Sequence, residues 1–237
     1  MTNIKKDDEC IDTSENVCRI TNKKFEEMVN NQMSKANLEL RKGYALVKKY
    51  PRSVCILGSA RFLEDSKYYK MARSLSARIV KELGYAVATG GGPGIMEAAN
   101  RGAKEAGGNS LGFSILLPSE QKTNPYVTES VEFEYFFSRK TLLLFAAETY
   151  VYFPGGFGTL DELFELITLM QTKEISKAPI VLVDRDFWEP LLAYLETSLL
   201  KQYSTINIED LKMYRIVDSE DEILEVIKKS PIRITDN

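Results

Sequence analysis

The fold is decided by one stretch of sequence, which reads Thr149-Tyr150-Val151-Tyr152-Phe153-Pro154-Gly155-Gly156-Phe157-Gly158-Thr159-Leu160-Asp161-Glu162. It begins with β-branched and aromatic residues, which favour a short strand. A Pro-Gly-Gly turn follows, and apolar residues then recur at helical spacing as far as Gln171. The stretch therefore predicts a buried strand, a glycine-rich loop and a helix, in that order.

The same alternation continues on both sides of this stretch. The predicted strands are residues 53–57, 86–89, 110–116, 149–153, 180–183 and 215–217, with a further short strand at 131–133. The predicted helices are residues 67–83, 95–106, 138–147, 159–171, 187–200 and 220–229. Strands separated by helices indicate a parallel sheet that is covered on both faces. We therefore predict an α/β fold with a Rossmann-like, doubly wound and mostly parallel sheet.

The first fifty residues differ from this pattern. Residues 1–21 are polar, charged and without periodicity, which is typical of a flexible leader. Residues 22–50 carry apolar side chains at steps of three and four, which predicts an N-terminal helical arm. Two packings suit such an amphipathic helix, one against its own domain and one in an oligomer interface. The α/β domain itself is predicted to occupy residues 51–237.

The composition excludes several classes of protein. The 237-residue chain has no histidine, which removes the commonest general base, imidazole zinc ligands and every Ser-His-Asp arrangement. Its net charge of −3, from 31 basic and 34 acidic residues, favours neither nucleic acid nor a membrane surface as a partner. No long apolar run is present, and the three cysteines fit neither a disulfide framework nor a CxxC metal site. We expect a cytoplasmic protein with no metal site.

Three loops after predicted strands are rich in glycine or small residues. They are Gly58-Ser59-Ala60-Arg61, Gly90-Gly91-Gly92-Pro93-Gly94-Ile95-Met96-Glu97 and Pro154-Gly155-Gly156-Phe157-Gly158-Thr159. In an open α/β sheet, ligands bind outside the carboxyl ends of the strands. Glycines there let the backbone approach a ligand, and the helix start that follows attracts a phosphate. The alternative is that these turns serve packing alone.

The motifs that these loops lack exclude several classes of ligand. The first turn holds one glycine, and Glu97 and Asp161 stand where a dinucleotide fingerprint needs its third glycine. The chain contains no Gly-Lys pair, so it has no P-loop. We expect a mononucleotide or a sugar phosphate, and no cofactor.

Charged residues beside these loops are candidates for chemistry. Asp161 and Glu162 are predicted to lie in the first turn of a helix, where Asp161 suits the helix dipole. An ionised Glu162 next to a bound phosphate would hold ribose hydroxyls, stabilise a developing cation or activate water. Arg139 and Lys140 are predicted to open another helix, where the dipole disfavours cations, so an anionic ligand or partner is expected for them.

The segments Ser138-Arg139-Lys140 and Pro154 to Glu162 together resemble the signature of the Lonely Guy (LOG) family of phosphoribohydrolases, an Arg-Lys pair followed by P-G-G-x-G-T-x-x-E. The resemblance covers residues 51–200. It implies a Rossmann-like oligomer, dimeric or larger, that hydrolyses nucleoside 5′-monophosphates such as AMP or cytokinin riboside monophosphates to base and ribose 5-phosphate.

The resemblance implies catalytic roles for Arg139 and Glu162. The family's phosphate-binding turn falls on Gly155, Gly156, Gly158 and Thr159, and we add Gly58, Ser59, Gly91, Gly92, Gly94, Glu97 and Lys140 as expected substrate-binding residues. Plant-type members have Met-His before Glu-Arg-Lys, whereas this chain has Phe136-Phe137-Ser138, which bears on base specificity. The alternative function is a non-catalytic carrier of a phosphorylated ligand, because related folds include cofactor carriers.

Overall fold

The protein is described by a computed structural model that covers residues 21–116 and 123–232. Two compact units divide the chain, Met1–Leu38 and Glu39–Asn237. Residues 1–20 of the predicted leader lie outside the described residues. The described part of the first unit is the beginning of helix α1, Asn22–Lys49, whose last turns belong to the second unit. None of the described helices is long and apolar enough to cross a membrane.

The second unit contains a seven-stranded sheet. Its strands are β1 (Ser53–Leu57), β2 (Ala86–Thr89), β3 (Ser110–Ile115), β4 (Glu129–Phe133), β5 (Thr149–Tyr152), β6 (Ile180–Val183) and β7 (Tyr214–Val217). All neighbouring strands are parallel, in the order β4-β3-β2-β1-β5-β6-β7. The predicted α/β fold is confirmed. The short strand at residues 131–133 is also confirmed, and it is longer than predicted.

Of six further helices, five lie between strands and the last follows the final strand. They are α2 (Lys67–Arg78), α3 (Ile95–Glu105), α4 (Phe136–Phe145), α5 (Phe157–Gln171), α6 (Arg185–Tyr194) and α7 (Glu220–Lys228). α2 and α6 continue as π-helical turns over Ile79–Leu83 and Leu195–Gln202. The predicted helices are therefore found, with ends that differ by one or two residues.

Two helix starts correct the sequence expectations. α4 begins at Phe136, two residues early, so that Arg139 and Lys140 are its fourth and fifth residues instead of opening it. α5 begins at Phe157, also two residues early, and its first turn contains no acidic residue. Asp161 and Glu162 consequently lie two residues further along the helix than predicted, as its fifth and sixth residues. Neither helix has a side-chain cap at its N-cap residue. The sequence therefore carries no capping signal that would place these two starts.

The sheet is buried on both faces because alternate residues of each strand point to opposite sides. Cys55 and Leu57 of β1 face one hydrophobic cluster, which includes Leu142 of α4 and Leu166 of α5. The intervening residues face a second cluster, packed by α2, α3 and α7. Cys55 is a free thiol and is fully buried in the first cluster.

Candidate active site

A cavity of about 890 Å³ opens at the carboxyl edge of the sheet, where the strand order reverses between β1 and β5. This reversal is where open α/β sheets bind ligands. The loops after β1, β2 and β5 form its walls together with α4 and α5. Ten of the predicted site residues line it, namely Gly58, Ser59, Gly91, Gly92, Arg139, Gly155, Gly156, Gly158, Thr159 and Glu162.

One wall of the cavity is the start of α5. The N–H groups of Phe157, Gly158 and Thr159 have no acceptor within the helix, as in the first turn of any helix, and no other described residue accepts from them. Methyl groups at Gly156 and Gly158 would meet no protein atom within 4 Å. Gly156 also has an ordinary φ of −96°. Neither packing within the protein nor the backbone angle therefore requires a glycine at residue 156. The wall is open to a ligand that approaches the backbone closely.

The loop after β2 is built differently. A methyl group at Gly90 would overlap Nη2 of Arg139, and Gly94 has a φ of +68° and lies against the backbone of Ser59 and Ala60. The N–H of Gly91 donates to Oγ1 of Thr89 at 2.9 Å. The N–H of Ile95, at the start of α3, donates to the carbonyl of Ser59 at 3.0 Å. These groups of the loop are therefore engaged within the protein.

Arg139 and Glu162 meet across the cavity as an ion pair. Nη1 of Arg139 lies 2.9 Å from Oε1 of Glu162, and Nε donates to the carbonyl of Phe113 at 2.8 Å. Their side chains are only 11% and 16% exposed. Burial raises the pKa of the Glu162 carboxyl above its ordinary value, while the guanidinium of Arg139 acts in the opposite direction. A carboxylate with a fixed orientation and a cation beside it can stabilise a developing positive charge and orient a water.

Two buried groups close to this ion pair, behind the residues that line the cavity, are neutral. Burial raises the pKa of the Cys55 thiol and of the Tyr152 phenol well above their usual values. The Tyr152 hydroxyl donates to the backbone carbonyl of Glu162 at 3.2 Å. Both groups remain protonated at neutral pH, which leaves Glu162 as the ionisable carboxyl beside Arg139.

Three predicted site residues do not line the cavity. Lys140 forms ion pairs with Asp161 at 2.9 Å and Glu165 at 2.8 Å. These carboxylates give Lys140 anionic partners within the protein. Glu97 accepts a hydrogen bond from the Tyr69 hydroxyl at 2.9 Å, and Gly94 packs on the loop after β1.

Other lining residues were not among the predicted site residues. Arg61 lies in the first loop, where its neighbours Gly58 and Ser59 could have pointed to it, and no described residue forms an ion pair with its exposed guanidinium. Apolar and aromatic side chains form much of the remaining wall, namely Phe62, Tyr68, Met96, Ile115, Phe136, Phe157 and Phe187. Sequence alone gives these side chains no signal that separates them from core residues.

Among the described residues, no cluster of three or more acidic or cysteine side chains could hold a metal ion.

The fold and the cavity define a Rossmann-like α/β protein with an open cavity at the switch point of its sheet. The family model described as "Possible lysine decarboxylase" matches residues 96–227, more than half of the chain. The chain belongs to this family, which is the LOG family that the two-part signature indicates.

Two relatives carry the same name, cytokinin riboside 5′-monophosphate phosphoribohydrolase. The protein from Rhodococcoides fascians is 25% identical over 166 residues, which are 68% of this chain and 82% of the relative. The protein LOG from Oryza sativa is 31% identical over 153 residues, which are 62% of this chain and 62% of the relative. The match therefore spans somewhat less than two thirds of the rice protein.

Two solved structures share the fold. The molybdenum cofactor binding protein from Rippkaea orientalis has a TM-score of 0.57 and 22% identity, covering 75% of this chain and 95% of that one. The molybdenum cofactor carrier protein from Chlamydomonas reinhardtii has a TM-score of 0.54 and 20% identity, covering 75% and 96%. At this level of identity, the likeness concerns the fold alone.

Proposed function

We propose that this protein hydrolyses the N-glycosidic bond of nucleoside 5′-monophosphates, such as AMP or a cytokinin riboside monophosphate, to the free base and ribose 5-phosphate. One observation carries the proposal. The Arg139–Glu162 ion pair and the open glycine wall at the start of α5 line one cavity. The names of the relatives point to the same reaction.

The 5′-phosphate occupies the wall formed by Gly155 to Thr159. There the unpaired N–H groups and the partial positive charge of the α5 start favour an anion. Arg61 adds a cation at the same cavity, and its charge is available because no described residue neutralises it. The charge of Arg139 is balanced by Glu162, so Arg61 and the helix start compensate the phosphate.

The ribose then lies against Glu162. As the bond between C1′ and the base nitrogen breaks, its electron pair leaves with the base, and positive charge develops on C1′ and the ring oxygen. The ionised Glu162 stabilises this oxocarbenium-like state and orients a water. The water oxygen bonds to C1′, one water proton becomes the new hydroxyl's hydrogen, and the other neutralises the departing base. Arg139 orients Glu162 and helps to position the nucleotide.

The test is incubation with a panel of nucleoside monophosphates that includes AMP and a cytokinin riboside monophosphate. Release of base and ribose 5-phosphate is followed by chromatography. We expect Glu162→Gln to lower kcat about 10³-fold, because it removes the charge that stabilises the transition state. The matched control is Asp161→Asn, which changes the neighbouring and more exposed carboxylate, outside the cavity. Equal losses in the two variants would contradict the role of Glu162.

The proposal predicts the direction in which kcat changes with pH. Glu162 acts in its ionised form, and burial raises its pKa, so kcat falls as the pH decreases through this raised pKa. The midpoint of the acidic limb should therefore lie above the ordinary pKa of about 4.3 for glutamate. A pH–rate profile measures it, and a midpoint at or below the ordinary value would refute the assignment.

Two other functions would give different results with the same panel of nucleotides. A carrier of a phosphorylated ligand would bind AMP tightly and release no base from any nucleotide of the panel. Lysine decarboxylation, the activity in the family's description, needs pyridoxal phosphate on a Schiff-base lysine. The described residues that line the cavity include no lysine, so the site does not fit that group.

We also infer that the protein assembles as a homo-oligomer, as the resemblance implies. Large apolar side chains stay exposed on the second unit, among them Tyr44 at 45%, Phe137 at 52% and Phe145 at 38%. The Tyr44 and Phe145 rings contact each other edge to face at 5.9 Å between centroids. Light scattering would give the mass, and a monomer at micromolar concentration would contradict this inference.

A further inference from the structure

Two buried asparagines hold the loop after β2. Nδ2 of Asn124 donates to the carbonyl of Gly91 at 3.1 Å and of Gly92 at 3.0 Å, and to Oδ1 of Asn100 at 2.9 Å. The backbone N–H of Asn124 donates to the Gly91 carbonyl at 2.8 Å. Asn124 is only 6% exposed and Asn100 is fully buried. Buried polar networks in which each group has a partner fix one arrangement of the chain.

The same network reaches the sheet through Asn100. Oδ1 of Asn100 accepts from Oγ1 of Thr89 at 2.7 Å, and this hydroxyl oxygen accepts from the N–H of Gly91. Nδ2 of Asn100 donates to Oγ of Ser110 at 2.8 Å. Gly91 is thereby held at both its amide and its carbonyl, in a left-handed conformation with a φ of +74°.

The loop in turn contacts the guanidinium of Arg139. Gly90 lies so close to Nη2 that a methyl group there would overlap it. Nε and Nη1 of Arg139 are bound by the Phe113 carbonyl and by Glu162. The loop is therefore a further neighbour that limits where the guanidinium lies.

We propose that Asn124 is a positioning residue, which holds the Gly90–Gly92 loop against Arg139 and so fixes the Arg139–Glu162 pair for catalysis. This inference rests on the proposed function for its kinetic consequence. Its effect is on the transition state and not on the phosphate, because the network does not touch the Gly155–Thr159 wall.

The test compares Asn124→Ala with Asn207→Ala, a change at an exposed asparagine outside the cavity. We expect Asn124→Ala to lower kcat for AMP about 100-fold, as misplaced catalytic groups do. The dissociation constant of ribose 5-phosphate should stay nearly unchanged. The Nε–H resonance of Arg139 in ¹⁵N NMR spectra should shift and exchange faster with water. Asn207→Ala should alter none of these.

Two results would overturn the proposal. One is an unchanged kcat together with an unchanged Arg139 resonance. The other is a loss of ribose 5-phosphate binding as large as the loss of kcat, which would indicate general collapse of the site. If wild-type protein releases no base, the proposed hydrolysis fails, but the Arg139 resonance still decides whether Asn124 positions that side chain.

A second variant covers the case in which Asn124→Ala does not fold. Thr89→Val preserves the shape of the side chain and removes the acceptor for the Gly91 amide. We expect the same split, a lower kcat with retained ribose 5-phosphate binding. If neither variant folds, the network serves folding alone and the proposal is rejected.

Discussion

The two glycine-rich loops of the cavity are similar in sequence and opposite in construction. In the loop after β2, a methyl group at Gly90 or Gly91 would overlap a neighbouring side chain, and the Gly91 amide is bound by Thr89. In the loop after β5, methyl groups at Gly156 and Gly158 would meet nothing within 4 Å. The first loop is packed against protein atoms. In the second loop, Gly155 is likewise packed against the Thr159 side chain, whereas the space beside Gly156 and Gly158 is open.

The difference shows that glycine has two uses at one edge of a sheet. After β2, it lets the chain pack against Arg139 and take up a left-handed conformation. After β5, it lets a ligand reach the backbone N–H groups of a helix start. From the sequence, both loops are expected to bind the substrate. We propose instead that the loop after β5 binds the phosphate and that the loop after β2 positions Arg139 beside Glu162.

Substitution of Gly90 should give the largest effect in this comparison. In Gly90→Ala, the new methyl group meets Nη2 of Arg139 and lies 2.9 Å from the Met96 sulfur. The guanidinium is displaced, and we expect kcat for AMP to fall about 100-fold. Binding of ribose 5-phosphate, measured by calorimetry, should be retained. Full activity in this variant would show that catalysis tolerates the displacement of Arg139. It would contradict the proposal that the loop after β2 positions this side chain.

Substitution of Gly158 should have the opposite signature. Gly158→Ala adds a methyl group in open space at a helical position, so the melting temperature should stay the same or rise. Ribose 5-phosphate should bind about tenfold more weakly, the loss of roughly one hydrogen bond to a charged group. Calorimetry and thermal unfolding test this together. Unchanged affinity would mean that the phosphate lies elsewhere.

Arg61 should give the smallest effect. Its side chain is exposed, and ion pairs at exposed positions contribute about 0.5 kcal/mol, so Arg61→Ala should raise KM for AMP about twofold to threefold. The change should shrink at high salt, because the charge is screened. Arg215→Ala, at an exposed arginine of β7 outside the cavity, serves as the control. A changed kcat with constant KM would contradict the assignment of Arg61 to the phosphate.

Much of the fold could be predicted from local patterns. β1, β2 and β6 have the predicted bounds, because buried strands read as short β-branched runs between turns. The starts of α4 and α5 could not be placed, since their N-cap residues, Tyr135 and Gly156, form no side-chain cap. At the start of α4, the Glu39 carboxylate accepts from the N–H of Glu134 at 2.7 Å and also from the Ser138 hydroxyl. That partner lies 95 residues from Glu134 in the chain.

The sequence by itself determined the α/β architecture, the edge of the sheet where the cavity opens and the candidates Arg139 and Glu162. These follow from the period of apolar residues, from glycine at strand ends and from a long motif, all of which are local in the chain. Only the tertiary structure decided which charges meet. In the structure, Arg139 forms an ion pair with Glu162, and Lys140 forms ion pairs with Asp161 and Glu165. Arg61 has no ion-pair partner among the described residues. The physical reason is that ion pairs and buried hydrogen bonds depend on distances of about 3 Å between groups far apart in sequence, which no local pattern encodes.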